Sequence, residues 1–111
     1  LEGSQEIVTE MRETYRRRRD MCLIEAEKLG LRVIKPEGTF YMMVDIRESA
    51  QPSRDFAKGL LMSESVAVAP GDTFGPQGEG FIRISLASTE EDLRRGLQRI
   101  HRYLRKSSEQ M

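Results

Sequence analysis

Arg83 has the sequence setting that most strongly indicates chemistry in this chain. It lies inside the apolar segment 81–86, Phe-Ile-Arg-Ile-Ser-Leu, whose composition is typical of a β-strand. Side chains alternate along a strand, so Ile82 and Ile84 would face a core while Arg83 would face away from it. A guanidinium is a planar fork of N–H donors that can grip a carboxylate through parallel hydrogen bonds. The pattern therefore predicts that Arg83 binds an anion outside the core.

The same segment also fits an ordinary surface arginine. In that interpretation Arg83 would pair across the sheet with Asp45, which lies in a second predicted strand. Opposite charges on neighbouring strands often pair in this way, and such a pair requires no ligand. The residue pattern by itself leaves both interpretations open.

The segment 70–80 is rich in glycine and superficially resembles a phosphate-binding loop. A phosphate-binding loop leads from a strand to the N-terminus of a helix, whereas this segment lies between two predicted strands. We therefore interpret it as a turn-rich connection in which Phe74 serves as an apolar anchor.

A basic run, Arg16 to Arg19, lies in a segment that predicts a helix. Consecutive helical residues point around the whole helix, so this run cannot form one binding face, and Glu13 and Asp20 are near enough to pair with it. We interpret the run as a solvated, salt-bridged surface. Arg18 is the exception, because it falls on the apolar side of the helix and is predicted to contact another surface.

Cys22 is the only cysteine and His101 the only histidine. A single cysteine excludes an internal disulfide, and no close histidine or second cysteine offers the spacing of a metal site. His101 has no serine or cysteine in an obvious catalytic relation to it. We predict a buried, inert thiol at Cys22, no metal site, and no functional role for His101.

The composition indicates a soluble globular domain. The chain has 111 residues, of which 32% are charged and 38% hydrophobic, and its formal net charge is zero. A balanced charge gives no overall attraction to nucleic acid or to an acidic membrane. No apolar run approaches the ~20 residues of a membrane span, and the N-terminus lacks the features of a signal peptide. We expect a cytoplasmic protein that binds neither nucleic acid nor membranes.

Two long helices are predicted at the two ends of the chain. The first spans residues 4–29 and is predicted to end at Gly30, which would take a left-handed conformation as the cap. At about 1.5 Å per residue this helix is too long for a small sheet to cover. Part of it should therefore pack on another surface. The last begins at a capping box, Ser88-x-x-Glu91. Its apolar stripe consists of Leu93, Leu97, Ile100 and Leu104.

The middle of the chain predicts strands and one short helix. A turn at residues 36–38 precedes a strand over residues 39–46, and further strands are predicted at 66–69 and 81–86. Ser53 is a plausible N-cap for the short helix. Its predicted inward side chains are Phe56, Leu60 and Leu61.

These elements follow one another in the order α-β-α-β-β-α. The order predicts an α/β fold, an α+β two-layer sandwich in which about three mainly antiparallel strands carry helices on one face. We expect residues 1–111 to form a single domain.

Several segments, read in order, resemble the C-terminal small domain of class I and II aminotransferases, which have fold type I of the pyridoxal-phosphate enzymes. Each segment is weakly specific alone, but the ordered set covers nearly the whole chain. The segments are Tyr15 followed by Arg18-Arg19-Asp20, Pro36-x-Gly38-Thr39-Phe40-Tyr41, Val66-Ala67-Val68-Ala69-Pro70-Gly71-x-x-Phe74-Gly75, and Gly80-Phe81-Ile82-Arg83-Ile84-Ser85.

The resemblance implies roles for particular residues. In this family the arginine at the position of Arg83 grips the α-carboxylate of the amino-acid substrate. Gly38 and Thr39 would line the pocket for the substrate side chain, and Phe74-Gly75 would shape the domain boundary. Ser65 departs from the family, which often has glycine there, so the preceding helix is expected to end with a different cap.

The resemblance also implies a larger protein. Pyridoxal 5'-phosphate and the groups that hold it would belong to a large domain upstream, so this chain alone is expected to bind no cofactor and to catalyse nothing. The intact protein would transfer an amino group between an amino acid and a 2-oxo acid, as a homodimer. Three other functions stay open: a transcription regulator with an aminotransferase-like effector domain, a pyridoxal-phosphate-dependent carbon–sulfur lyase, and a free-standing interaction module.

Overall fold

The computed structural model describes residues 2–34 and 41–109, with side chains described for residues 10–34 and 41–108. Its elements combine three helices with four short strands. In chain order they are α1 Glu2–Leu29, β1 Val33–Ile34, β2 Tyr41–Asp45, α2 Ser53–Glu64, β3 Ala69–Pro70, β4 Phe81–Ser85 and α3 Glu90–Glu109. None of the described helices is long and apolar enough to cross a membrane.

The strands form one antiparallel sheet in the order β1-β2-β4-β3. The predicted α/β class is confirmed, but the described residues hold four strands where about three were predicted. The additional strand is β1, a two-residue edge strand on which Val33 pairs with Val44. Two residues are too few to show an alternating pattern, so only the pairing with β2 reveals this strand.

The predicted strand at residues 66–69 is also displaced. In the structure β3 comprises only Ala69 and Pro70, which pair with Arg83 and Ile82 of β4. Proline lacks the N–H that a central strand donates to its neighbour, and β3 accordingly lies at the edge of the sheet.

All three helices cover one face of the sheet, as predicted. The alternation of β2 and β4 buries every second side chain on that face, including Met42 and Ile82. The core cluster consists of Cys22, Ala26, Leu31, Met42, Val44, Ile46, Phe56, Leu60, Ile82, Ile84, Leu86, Leu93, Leu97, Ile100 and Leu104. Along the part of α1 whose side chains are described, burial increases toward the C-terminal end: Met11 is 49% exposed, whereas Cys22 and Ala26 are fully buried.

The end of α1 is closed by the glycine that the sequence predicts. Gly30 has φ of 76°, a left-handed conformation that an L side chain rarely adopts. Its N–H donates to the carbonyl of Glu27 at 3.1 Å, and the Leu31 N–H donates to the carbonyl of Ala26 at 2.9 Å. This is the paired hydrogen-bond pattern of a Schellman cap, and it turns the chain toward β1.

The N-caps of the two other helices differ from the predictions. The residue before α2 is Pro52, so Ser53 is the first helical residue and not the cap. At α3 the cap is Thr89, whose Oγ1 accepts a hydrogen bond from the Asp92 N–H at 3.1 Å, so the capping box predicted from Ser88 is wrong by one residue. Neighbouring Ser and Thr residues have similar capping propensities, and local pattern does not separate them.

The end of α2 is tied to α3. Ser65 ends the helix with φ of 58°, so a serine takes the left-handed position here. The buried carboxylate of Glu64 accepts hydrogen bonds from Arg102 Nε at 2.8 Å and Nη2 at 2.6 Å. These hydrogen bonds lower the pKa of Glu64. Arg99 also donates to the Glu64 carbonyl at 3.0 Å, so the two helices are held together at this point.

Neighbouring leucines of α2 provide a matched test of this packing. Leu60 is fully buried, whereas Leu61, which was predicted to point inward, is 51% exposed. Leu60→Ala should lower the free energy of unfolding by about 2–5 kcal/mol, because it leaves a cavity in the core. Leu61→Ala should change it by less than about 0.5 kcal/mol. Urea denaturation measures both effects, and equal losses would contradict the described orientation of α2.

Candidate functional site

The face of the sheet opposite the helices carries the candidate site. Alternation on the central strand β4 buries Ile82 and Ile84 and leaves Arg83 partly exposed on this outer face, as predicted. Arg83 lies opposite Met43 of β2 and opposite Ala69 of β3. A strand on each side therefore holds the backbone of Arg83 in place.

Two aromatic rings flank the guanidinium of Arg83. Its Cζ lies 4.0 Å from the ring centroid of Tyr41 and 4.0 Å from that of Phe74. Tyr41 begins β2, and Phe74 ends a 3₁₀ turn, Gly71–Phe74, that follows β3. Both distances are well inside the range of a cation–π interaction, so the rings attract the positive charge without neutralising it.

The ion pair considered between Arg83 and Asp45 is wrong. Asp45 lies opposite Phe81 in the sheet, and its carboxylate accepts hydrogen bonds from Arg47 Nε at 3.0 Å and Nη2 at 2.8 Å. The hydrogen bonds from the Arg47 side chain lower the pKa of Asp45, which keeps it ionised and paired. Within residues 10–34 and 41–108, no carboxylate or carbonyl accepts a hydrogen bond from Arg83.

The connection between β3 and β4 positions Phe74. The chain joins two strands here, as predicted, and passes through the 3₁₀ turns Gly71–Phe74 and Pro76–Gly78. The backbones of Gly71 and Gly78 touch, so that a Cβ on Gly71 would overlap the carbonyl oxygen of Gly78. Phe74, the predicted anchor of this connection, has a ring that is 44% exposed and packs on Arg83.

Polar contacts fasten this connection to the start of α2. The carboxylate of Glu79 accepts a hydrogen bond from the Ser53 N–H at 2.7 Å and another from Ser53 Oγ at 2.9 Å. Arg54 forms an ion pair with Asp72 at 2.5 Å. A carboxylate at a helix N-terminus accepts hydrogen bonds from the free N–H groups there, and its negative charge interacts favourably with the helix dipole. Glu79 therefore takes the capping role that the sequence suggested for Ser53.

Cys22 and His101 lie away from the outer face. Cys22 is fully buried in the core, as predicted, and burial raises the pKa of its thiol to about 11. His101 lies on α3. No group of three or more His, Cys, Asp or Glu side chains that could hold a metal ion occurs in the described part of the chain.

Two arginines of the basic run on α1, Arg18 and Arg19, have partners within the chain. Arg19 forms an ion pair with Asp20 at 3.1 Å, in agreement with a salt-bridged surface. Arg18 was predicted to contact another surface, but its Nη1 donates to the carbonyl of Leu86 at 2.9 Å within this chain. That contact joins α1 to the end of β4, and a helical pattern alone does not reveal it.

The site residues predicted from the sequence are only partly described. Arg83 lies where alternation places it, whereas Gly38 and Thr39 lie outside the described residues. Sequence reasoning missed the contacts of Tyr41 and Phe74 with Arg83. Tyr41 alternates with the buried Met42 and therefore lies on the outer face, but no local signal brings Phe74 to Arg83, because that contact depends on the path of the connection after β3.

Comparisons of the sequence and of the structure with known proteins point to the same family. The family model of aminotransferase class I and II matches residues 1–100. The aspartate aminotransferase of Pyrococcus abyssi is 39% identical over 104 residues, which cover 94% of this chain and 27% of that protein. The chain thus spans about a quarter of the length of this relative.

Solved structures of similar sequence share the fold. The aromatic aminotransferase from Pyrococcus horikoshii superimposes with a TM-score of 0.86 at 39% identity, over 96% of this chain and 28% of that one. The aspartate aminotransferase from Thermus thermophilus, solved with maleate, superimposes with a TM-score of 0.81 at 40% identity, over 92% of this chain and 26% of that one.

The contact between Gly71 and Gly78 can be tested against another glycine. Gly71→Ala should lower the free energy of unfolding by about 1–3 kcal/mol, because the added methyl group meets backbone atoms that cannot rotate away. Gly96→Ala, at an open position of α3, should instead raise it by about 0.5–1 kcal/mol through helix propensity. Urea denaturation measures the free energy of unfolding of both variants, and a Gly71→Ala variant more stable than the wild-type protein would contradict the described connection.

The pair formed by Asp45 and Arg47 should make stability depend on pH. Because the folded-state pKa of Asp45 is lowered, its ionised form stabilises the fold above the ordinary aspartate pKa, and this contribution is lost as the pH falls through the lowered value. Arg47→Met should raise the pKa of Asp45 toward its ordinary range, since the side-chain hydrogen bonds are lost while the hydrogen bond from the backbone N–H of residue 47 remains. An NMR titration of the Asp45 carboxyl carbon measures the shift, and an unchanged pKa in the variant would refute the pairing.

Proposed function

This chain belongs to the class I and II aminotransferases, and we propose that residues 1–111 form the C-terminal small domain of a pyridoxal-phosphate-dependent aminotransferase. In this proposal the intact protein transfers an amino group between an amino acid and a 2-oxo acid. The contribution of the chain is Arg83, which binds the α-carboxylate of the substrate.

The observation that carries the proposal is a cation on the outer face of the sheet that has no hydrogen-bond acceptor among the residues that the structure describes. An arginine stays charged at every physiological pH, and charge-assisted hydrogen bonds to a carboxylate are its strongest neutralising contacts. Among the described residues Arg83 has aromatic neighbours and no hydrogen-bond acceptor. Its donors are therefore available to a ligand that brings its own carboxylate.

The relatives support a ligand defined by its carboxylate. The names of two relatives specify aspartate for one protein and aromatic amino acids for the other. Those substrates share the α-amino acid group and differ in their side chains. The Thermus thermophilus structure contains maleate, which is itself a dicarboxylate. We propose that Arg83 recognises the shared α-carboxylate, and that Gly38 and Thr39 line the pocket for the side chain that differs.

The cofactor would be held elsewhere in the intact protein. A Schiff base with pyridoxal phosphate needs a lysine at the site, and the described lysines, Lys28, Lys58 and Lys106, are exposed on the three helices. These residues do not fit the cofactor, so we assign none of them to it. Pyridoxal phosphate acts as an electron sink for the substrate carbanion when it is bound.

Arg83 would act by orientation. A bidentate grip fixes both the position and the plane of the carboxylate, and this determines the direction of the bonds at the adjacent α-carbon. The side chain starts from a central strand that is paired on both edges, so its base is rigid. We infer that the small domain holds the substrate while the large domain supplies the reacting groups. A homodimer, as the family resemblance implies, is part of the same proposal.

Removal of the guanidinium tests the assignment. In the intact protein, Arg83→Gln should lower kcat/KM for its amino-acid substrate by about a hundredfold or more, since two charge-assisted hydrogen bonds are lost. Arg83→Lys should give a kcat/KM between those of the wild-type protein and Arg83→Gln, because lysine keeps the positive charge but lacks the planar set of donors of the guanidinium. Steady-state assays with L-aspartate and L-phenylalanine as amino donors provide the measurement.

A matched arginine provides the control for this experiment. Arg95 is exposed on α3 and pairs with Glu91, on the opposite side of the sheet from the site. Arg95→Gln should leave kcat/KM within about twofold of the wild-type value, as expected for a surface ion pair. An Arg83→Gln protein that is as active as this control would disprove substrate binding by Arg83.

A further inference from the structure

We propose that Tyr41 and Phe74 are positioning residues that hold the Arg83 guanidinium between their rings and thereby direct its N–H donors toward the substrate carboxylate. The inference rests on the proposed function, since it deepens the role of Arg83. It adds two residues that act through Arg83.

The ring contacts of Arg83 are the closest of their kind in the described residues. Its Cζ lies 4.0 Å from each ring centroid, whereas Arg47 lies 5.3 Å from Phe81 and Arg18 lies 5.6 Å from Tyr15. The two more distant arginines also have oxygen acceptors, the carboxylate of Asp45 for Arg47 and a backbone carbonyl for Arg18. Arg83 has the rings instead.

The sheet order places one ring on each side of Arg83. Strand β4 lies between β2 and β3, and Tyr41 comes from β2 while Phe74 comes from the turn that follows β3. The two rings therefore approach from opposite neighbours of the strand that carries the arginine. Such a placement limits sideways motion of the guanidinium in both directions across the sheet.

This packing has a consequence for binding. An arginine side chain has several rotatable bonds, and a ligand that fixes them loses affinity through their entropy. A ring over the guanidinium restricts these bonds before the ligand arrives and covers the face of the cation, where no donor points. The donors lie in the guanidinium plane and stay open at its edge. The rings therefore hold the guanidinium in an orientation that suits a carboxylate, and they do not occupy the N–H donors that the carboxylate would bind.

The position of Phe74 depends in turn on the connection that carries it. The contact between Gly71 and Gly78 closes the turn, and Glu79 fastens the following residues to Ser53 at the start of α2. One side of the arginine is thus held by the sheet itself, and the other by a connection anchored on a helix. Because Tyr41 lies on β2, a substitution of Tyr41 tests the inference independently of that connection.

Ring removal in the intact protein tests the inference. The variants Tyr41→Leu and Phe74→Leu remove a ring, whereas Tyr41→Phe and Phe74→Tyr keep it. The probes are maleate and 3-phenylpropionate, carboxylates without an amino group, whose dissociation constants calorimetry measures without any reaction. Each Leu variant should bind the probes about threefold to tenfold more weakly than wild type, as expected for loss of a cation–π contact. The ring-keeping variants should stay within about twofold.

Controls separate this inference from a general loss of structure. Met43→Leu changes the partly buried side chain opposite Arg83 without touching either ring contact, and it should bind like wild type. Both ring positions are about half exposed, so the thermal midpoints of all variants should agree within about 3 °C. Retained affinity in the ring-keeping variants, together with weaker binding in the Leu variants, supports positioning.

The outcomes distinguish the two proposals. If Arg83→Gln abolishes probe binding while both Leu variants bind like wild type, the role of Arg83 stands and the positioning role is overturned. If Arg83→Gln binds like wild type, or if the wild-type protein binds neither probe, the carboxylate site and the positioning role fail together. Equal weakening by the ring-keeping and the Leu variants would also overturn the positioning role.

Discussion

The two-residue alternation of the central strand β4 is the constraint on which the rest of the structure depends. Ile82 and Ile84 must lie in the core, so the residue between them must lie on the opposite face. Because β4 is paired on both edges, that residue cannot move to another face without breaking the sheet. An arginine at this position is thus held outside the core by the same pairing that builds the core.

The two faces of the sheet therefore carry different kinds of side chain. The inner face packs against three helices and contains the fully buried apolar side chains. The outer face carries Arg83 between two half-exposed rings. The core and the proposed carboxylate site share the backbone of β2 and β4 but use alternate side chains, so we expect a substitution on one face to leave the other face largely intact. This division lets a small domain present a charged group on a rigid base.

Much of the fold follows from local pattern, and the exceptions have physical causes. The helices, the alternation of β4 and the cap at Gly30 were predicted because each depends on residues close together in the chain. The edge strand β1, the shortened β3 and the inward face of α2 depend on pairing or packing with distant residues. The same is true of Glu79, which caps a helix that begins 26 positions earlier in the chain.

The sequence alone determined that Arg83 lies on the outer side of a strand, because alternation is a property of the extended backbone. The family resemblance was also readable from short ordered segments. Only the tertiary structure decided what surrounds the guanidinium. It assigned Asp45 to Arg47 and brought Tyr41 and Phe74 together from the two neighbouring strands. Those contacts arise from sheet order and from the path of a connection, and neither is encoded in the spacing of residues along the chain.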